Sequence, residues 1–505
     1  MRPLPLLLSA AALATLPAYG KSRPNIVYIL ADDLGYTELG SYGQKLIETP
    51  NLDRLAQNGL RFTQHYCGSP VSAPSRCVLL TGQHTGRAFI RGNHEWGERG
   101  EVWNFAKAAE DPRLEGQYPI PDSIRTLAEY LDEAGYRTGV FGKWGLGAPF
   151  SEGTPNRQGF DAFFGYNCQR QAHTYYPTFL WQNEEKVWLR NRMVPPGTKL
   201  PKGTDPLDWN SYADFNQADY APDLILEESF RFIEAAGQEP FFLFYASPLP
   251  HLALQAPKEW IDHSLKKFGD EAPYLGQEGY FPQRYPHAAY AAMVSFLDHQ
   301  VGLLIDKLKE TGQYENTLII FSSDNGYAFN AGCDPAWFNP EAPFSTVYGR
   351  GKGFVHEAGI RVPMIASWPG RIRPGRVTDH ISCFYDVLPT LCEVTGLPVP
   401  PDTDGISFLP TLLGKKRQAQ HRFLYWEFPE YGGQQAVRMG PWKGIISDMQ
   451  KGNNQLRLYH LGNDLAEIND VAEENPDIVR QIREILESQH HRSPLERFLI
   501  KAIDQ

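Results

Sequence analysis

Runs of uninterrupted apolar residues recur along this chain, each about one strand long and each ending in polar residues. The first spans residues 24–31 and gives way to Asp32-Asp33-Leu34-Gly35. A run with no polar alternation predicts a central strand covered on both faces. Residues 136–141, 240–246 and 317–323 repeat the pattern. Between them the apolar period lengthens to that of helices, at residues 50–59, 122–135, 224–236 and 290–308. In the second of these, Ile124, Leu127, Leu131 and Ala134 share a face and Gly135 closes the helix. This alternation predicts one α/β domain of three layers around a mostly parallel sheet.

After about residue 410 the pattern changes. Residues 423–428, 435–446 and 456–461 read as short antiparallel strands, followed by a helix over 476–488 with Asn475 as its cap. The expected organisation is a main domain over 21–410 and a smaller antiparallel sheet with a helix over 411–505.

Composition adds few constraints. Of the 505 residues, 42% are hydrophobic and 21% charged, and the net charge is −11. That balance suits a globular protein and argues against a nucleic-acid partner, since no long basic run exists. Arg2, an apolar stretch over 4–16 and Pro17-Ala18-Tyr19-Gly20 read as an export signal cleaved after Gly20, predicting a periplasmic or secreted protein. The stretch is short for a membrane span, and no later segment reads as one, so no stable membrane insertion is expected. Six cysteines permit disulfides after export, but their settings read mainly as buried thiols.

The chemistry lies just past the predicted strands. Asp32-Asp33 and Asp324-Asn325 place hard oxygen ligands at two strand ends, a pattern that suits calcium or magnesium better than zinc. Ser72 precedes Pro74 at a predicted helix mouth, where free N–H groups and the helix dipole favour an anion. Arg76 follows one turn later. Lys143 sits in Gly142-Lys143-Trp144-Gly145 and Lys352 in Gly351-Lys352-Gly353, while His251 follows Pro250 after a strand. Each alone has an ordinary structural reading. Together, Ser72, Arg76, Lys143, Lys352 and a cation would surround a tetrahedral oxyanion such as sulfate. The aromatic and polar stretch over 161–181, which holds Arg170 and His173, suits either sugar stacking or a packed loop.

The segment Ser72-Ala73-Pro74-Ser75-Arg76 with Leu79-Leu80-Thr81-Gly82 resembles the signature of type I, formylglycine-dependent sulfatases of the alkaline-phosphatase superfamily, in its serine form. Asp32-Asp33, Gly142-Lys143-Trp144, Asp324-Asn325-Gly326 and Gly359-Ile360-Arg361-Val362-Pro363 accompany it in order, over nearly the whole mature chain. The resemblance implies an alkaline-phosphatase-like fold. It implies oxidation of Ser72 to formylglycine (3-oxoalanine) by a radical-type maturing enzyme, and a Ca2+ ion, ahead of Mg2+, held by Asp32, Asp33, residue 72, Asp324 and Asn325. Arg76 would fix the hydrated aldehyde, Lys143 and Lys352 would neutralise sulfate oxygens, and His251 would protonate the leaving oxygen.

The family usually has histidine where this chain has Gly145, so His84 or His173 is expected to supply the base. A sulfated saccharide of galactose or N-acetylgalactosamine type is the implied substrate, 6-O rather than 4-O, with Asn93, His94, Arg170 and His173 as contacts. Two alternatives stand beside this reading: a metal-dependent phosphatase or phosphodiesterase of the same superfamily, and an inactive saccharide-binding homologue.

Overall fold

The carboxyl ends of four neighbouring parallel strands meet at the centre of one large sheet, and this junction positions the site. The computed structural model describes residues 23–504; the export-signal expectation falls outside the described residues. In chain order the sheet takes β1 (Asn25–Ala31), β2 (Leu60–Tyr66), β3 (Arg137–Lys143), β4 (Ala162–Tyr166), β5 (Phe179–Gln182) and β6 (Glu185–Trp188). It continues with β7 (Phe241–Ala246), β8 (Thr317–Ser323), β9 (Arg361–Ser367), β10 (Arg376–Thr378) and β11 (Ser382–Cys383). The spatial order is β10-β2-β9-β8-β1-β7-β3-β4-β5-β6, with β11 also paired to β2. β8, β1, β7, β3 and β4 run parallel, whereas β9, β5 and β6 introduce antiparallel pairs towards the edges.

Register explains the convergence. Ala31 lies opposite Ser323, Leu30 opposite Ala246, and Gly142 opposite Ala246. The chain therefore leaves β1, β8, β3 and β7 at one level, carrying Asp32, Asp324, Lys143 and the His251 loop to one edge. On β1, Ile26, Tyr28 and Leu30 enter one core with Ala73, Cys77, Val78 and Leu80 of the Ser72 helix. Val27, Ile29 and Ala31 enter the other, with Met293, Val294 and Leu297 of helix Pro286–Glu310. That helix is long and apolar enough to cross a membrane by length and composition, but 72% of its apolar window is buried in this core.

The second sheet is an antiparallel meander of β12 (Leu424–Phe428), β13 (Gln434–Met439), β14 (Trp442–Ile446) and β15 (Arg457–His460). Helix Pro476–Gln489 covers it, with Ile482 and Leu486 packed beside Val437, Ile446 and Leu458.

Local chemistry shifted several expected boundaries. The helix expected over 122–135 is confined to Leu127–Glu133, because Thr126 and Glu129 form a reciprocal capping box that fixes its start. Ile124 thus lies in the preceding turn. The strand expected over 435–446 is two strands, split at Gly440-Pro441, where Gly440 adopts a φ of 58°. Asn475 does not cap its helix; its Nδ2 donates to Val471 O, 2.9 Å away. All six cysteines are free and buried, and burial pushes the Cys77 and Cys392 thiols up to about 11.

A buried ionic network locks the second sheet to the first. Lys443 Nζ on β14 lies 2.9 Å from both Glu357 and Glu467, and Glu357 also meets Arg361 at 3.2 Å and accepts from the Tyr66 hydroxyl at 2.8 Å. Removing one partner of a buried network strands its counter-charges and costs about 3–5 kcal/mol. Lys443→Met is therefore expected to lower the melting temperature by about 5 °C or more in a thermal scan.

Candidate active site

Ser72 opens helix Ser72–Thr81, which is buried along its whole length. Its hydroxyl donates to Asp32 Oδ1 at 3.1 Å and accepts from Lys143 Nζ at 3.4 Å. Arg76, one turn on and fully buried, aims Nε and Nη2 at Asp324 Oδ2 (3.1 and 2.8 Å) and Nη2 at Asp32 Oδ2 (3.3 Å). Its Nη1 donates to the Lys143 carbonyl. Helical spacing thus lets one guanidinium brace the ends of β1, β8 and β3 behind the hydroxyl.

The acids are brought together by a break in strand alternation. Asp33 adopts a left-handed φ of 67°, so two adjacent carboxylates reach one place instead of opposite faces. Asp32, Asp33 and His251 each offer a ligand atom within 4.8 Å of the others. Asp33 Oδ1 accepts from Asn325 Nδ2 at 2.8 Å, and Asp33 Oδ2 meets Lys352 Nζ at 2.6 Å. Lys143 Nζ lies 2.5 Å from Asp32 Oδ2. Burial lowers the Lys143 ammonium's pKa, an effect that Asp32 opposes. For Lys352 burial acts in the same direction but is outweighed by Asp33, Tyr280 and Asp32 together, leaving the pKa raised.

These residues fit a hard divalent cation. Three buried carboxylates and the Asn325 carboxamide converge, and Asn325 Oδ1 is buried with no hydrogen-bond partner. Among the described residues, Asp32, Asp33 and His251 form the one cluster of three or more Asp, Glu, His or Cys side chains whose ligand atoms lie within 4.8 Å of one another. The two histidine-rich centres expected of a two-zinc phosphatase do not occur among them.

His251 Nδ1 lies 2.5 Å from Leu252 O, and Nε2 lies 3.6 Å from Asp33 Oδ2. A proton on Nδ1 is held by that carbonyl, so Nε2 presents a lone pair and must gain a proton before it can give one. Burial, reinforced by Lys352 and Lys143, holds the ring well below its ordinary pKa. His173 stacks on His251 with centroids 5.3 Å apart, and Tyr280 lies 5.7 Å from His173.

His84 is not brought to this site. The ten residues of helix Ser72–Thr81 carry the chain about 15 Å away, and the His84 ring is held by Gln489 (3.2 Å) and Tyr425 (4.9 Å). Nor is Asn93 free: its Oδ1 accepts from Ala73 N at 2.9 Å and from Gln169 Nε2 at 3.2 Å, steadying the first turn of the nucleophile helix. Gln169 fills the space beside Gly145, whose φ is 87° and where a Cβ would approach Gln169 Cγ to 3.0 Å. His94 stands further out, half exposed, 3.4 Å from Glu430. Arg170 stands over exposed Trp103, its Cζ 3.7 Å from the ring centroid. Gln169 belongs to the aromatic and polar stretch over 161–181 and sits in the short 3-10 helix Gln169–His173, whereas Tyr280 carried no signal in the sequence, because it reaches His173 and His251 from a loop with no motif of its own.

A helix-mounted hydroxyl between a lysine and an aspartate, with two further cations and an oxygen-rich cluster, defines a hydrolase of anionic esters. A model of the family described as Sulfatase matches residues 24–397, and one described as N-sulphoglucosamine sulphohydrolase, C-terminal, matches residues 349–492. The chain belongs to the sulfatase family and is a sulfuric ester hydrolase. It is 33% identical over 430 residues to an N-acetylgalactosamine-6-sulfatase of Canis lupus familiaris, covering 83% of this chain and 71% of that one. It is 29% identical over 531 residues to the N-acetylgalactosamine-6-O-sulfatase of Bacteroides thetaiotaomicron, covering 92% and 93%. The solved structure of Ps i-CgsB in complex with k-i-k-neocarrahexaose aligns with a TM-score of 0.72 at 26% identity, covering 95% and 94%.

Proposed function

We propose that this chain is exported and hydrolyses sulfate esters of a galactose- or N-acetylgalactosamine-type saccharide, with residue 72 as the nucleophile in its formylglycine form. The observation that carries the reading is the setting of Ser72 Oγ, between Asp32 and Lys143 at the mouth of a helix. Two relatives named as N-acetylgalactosamine-6-sulfatases and a neighbour bound to a carrahexaose support the saccharide class. Export is supported by the apolar stretch over 4–16.

Asp32, Asp33, Asp324 and Asn325 would hold a calcium ion, which when bound supplies Lewis-acid polarisation of a sulfate oxygen. Formylglycine would supply a hydrated aldehyde with a second hydroxyl, through which sulfate can be expelled without a separate hydrolytic water. The chain's own residues do the rest. Lys143 and Lys352 offset the negative charge of the sulfate, and the Ser72 helix mouth adds N–H donors. Arg76 keeps the strand ends aligned. His251 stands beside the cluster, where Nε2 can relay a proton to the leaving oxygen. His173 is the candidate for the base that Gly145 does not provide.

Chelation followed by dialysis is expected to abolish sulfate release and lower the melting temperature; calcium should restore both more fully than magnesium, as read by activity and thermal scans. The functional reading is tested with a panel of sulfated galactosides and N-acetylgalactosaminides beside matched phosphate esters. Release of sulfate from at least one sugar, with phosphate esters slower, is the expected result. Dominant phosphate release or no turnover at all would sink it.

A further inference from the structure

Tyr431 lies in the turn between β12 and β13, distant along the chain from every motif that defines the site. It is one of the few non-glycine residues with a left-handed φ, 50°, and Gly432 and Gly433 continue in that region at 90° and 75°. Tyrosine is strained there, so the surroundings must impose the conformation. They do: Gly433 N donates to Glu430 O at 3.0 Å, Gln450 N to Gly432 O at 2.8 Å and Met449 N to Gly433 O at 3.0 Å.

The same turn is fastened to the Lys352 loop. Gln434 donates to Gly353 O at 2.8 Å and accepts from Val355 N at 3.1 Å, while Gly353 N reaches Pro70 O at 2.9 Å beside the nucleophile segment. The Tyr431 ring rests on Gly353 so closely that a Cβ there would come within 2.7 Å of it. Tyr431 and Tyr280 both lie within electrostatic reach of Lys352, Asp33 and each other. Yet Tyr431 is 52% exposed, and an aromatic strip continues through Phe354 (5.7 Å) to Tyr348 (6.0 Å further), itself 69% exposed.

A half-exposed aromatic ring carried on a strained, hydrogen-bonded turn and packed against the residue that follows Lys352 is neither core filler nor an ordinary turn residue. We propose that Tyr431 is a substrate-specificity residue, its ring face forming the surface on which a pyranose ring of the sulfated saccharide stacks at the mouth of the Ser72 site. Pyranose C–H groups pack on an aromatic face while their hydroxyls stay hydrated, and a ring held in advance loses little entropy on binding. The strained turn keeps the ring there. This inference rests on the proposed sulfated-saccharide activity and deepens it by giving the C-terminal sheet a share of the substrate site.

The test uses the sugar hydrolysed fastest in the panel above. Tyr431→Gly removes the ring and relieves the backbone strain, so it is expected to fold with an unchanged or higher melting temperature. Its KM should rise about tenfold or more, with kcat falling far less, as for loss of a binding hot spot. Tyr431→Phe and Tyr431→Trp should keep KM within about threefold of the parent, since the face is retained. An unchanged KM in Tyr431→Gly, or equal damage in Tyr431→Phe, overturns the stacking role while leaving the sulfatase reading intact. A panel that releases no sulfate overturns that reading and this inference with it.

Discussion

Ser72→Ala is expected to reduce sulfate release by at least about a thousandfold, because it removes the atom on which the proposed chemistry depends. The fold should barely respond. The hydroxyl contributes one bond to Asp32 and one contact with Lys143, while Asp32 keeps its pairing with Lys143 and Arg76. Losing such a bond costs about 1 kcal/mol. The variant should therefore melt within a few degrees of the parent and still bind the sulfated saccharide in calorimetry. Loss of turnover with binding retained would separate a nucleophile from a structural serine; turnover within tenfold of the parent would remove Ser72 from the mechanism.

Arg76→Lys should be nearly as damaging, though it preserves charge. The guanidinium fork serves Asp324 through two nitrogens, Asp32 through one and the Lys143 carbonyl through the third. A single ammonium cannot satisfy three strand ends at once. With both carboxylates fully buried, the unmet acceptors are expected to cost about 3 kcal/mol or more in stability and to lower kcat about a hundredfold or more. Thermal scans and saturation kinetics read the two effects separately. A lysine variant with parental kcat would show that alignment by the fork is dispensable.

Most of the site was legible because it follows one topological rule. Asp32, Lys143, His251 and Asp324 each come at or after the carboxyl end of an apolar strand, and parallel neighbours deliver such ends to one edge. Spacing also resolved Ser72 and Arg76, since four residues make one helical turn. The same logic failed for His84. Nearness along the chain is not nearness in space, because a straight helix carries its two ends apart. Asn93 was legible as a site residue but not in its role, because only the fold shows its carbonyl held by Ala73 and Gln169. Tyr431 was invisible for a different reason: a turn in the second sheet reaches Lys352 only through tertiary contacts of Gln434 and Gly353. The boundary errors were local, as with Thr126, where a capping box overrode a longer apolar period.

Mass spectrometry of the peptide spanning Ser72, from fully active protein made in a host that matures serine-type sulfatases, is the most direct measurement of the central claim. The expected result is a peptide lighter by two hydrogens, with the change confined to residue 72. Fully active protein carrying only unmodified serine there would contradict the formylglycine chemistry.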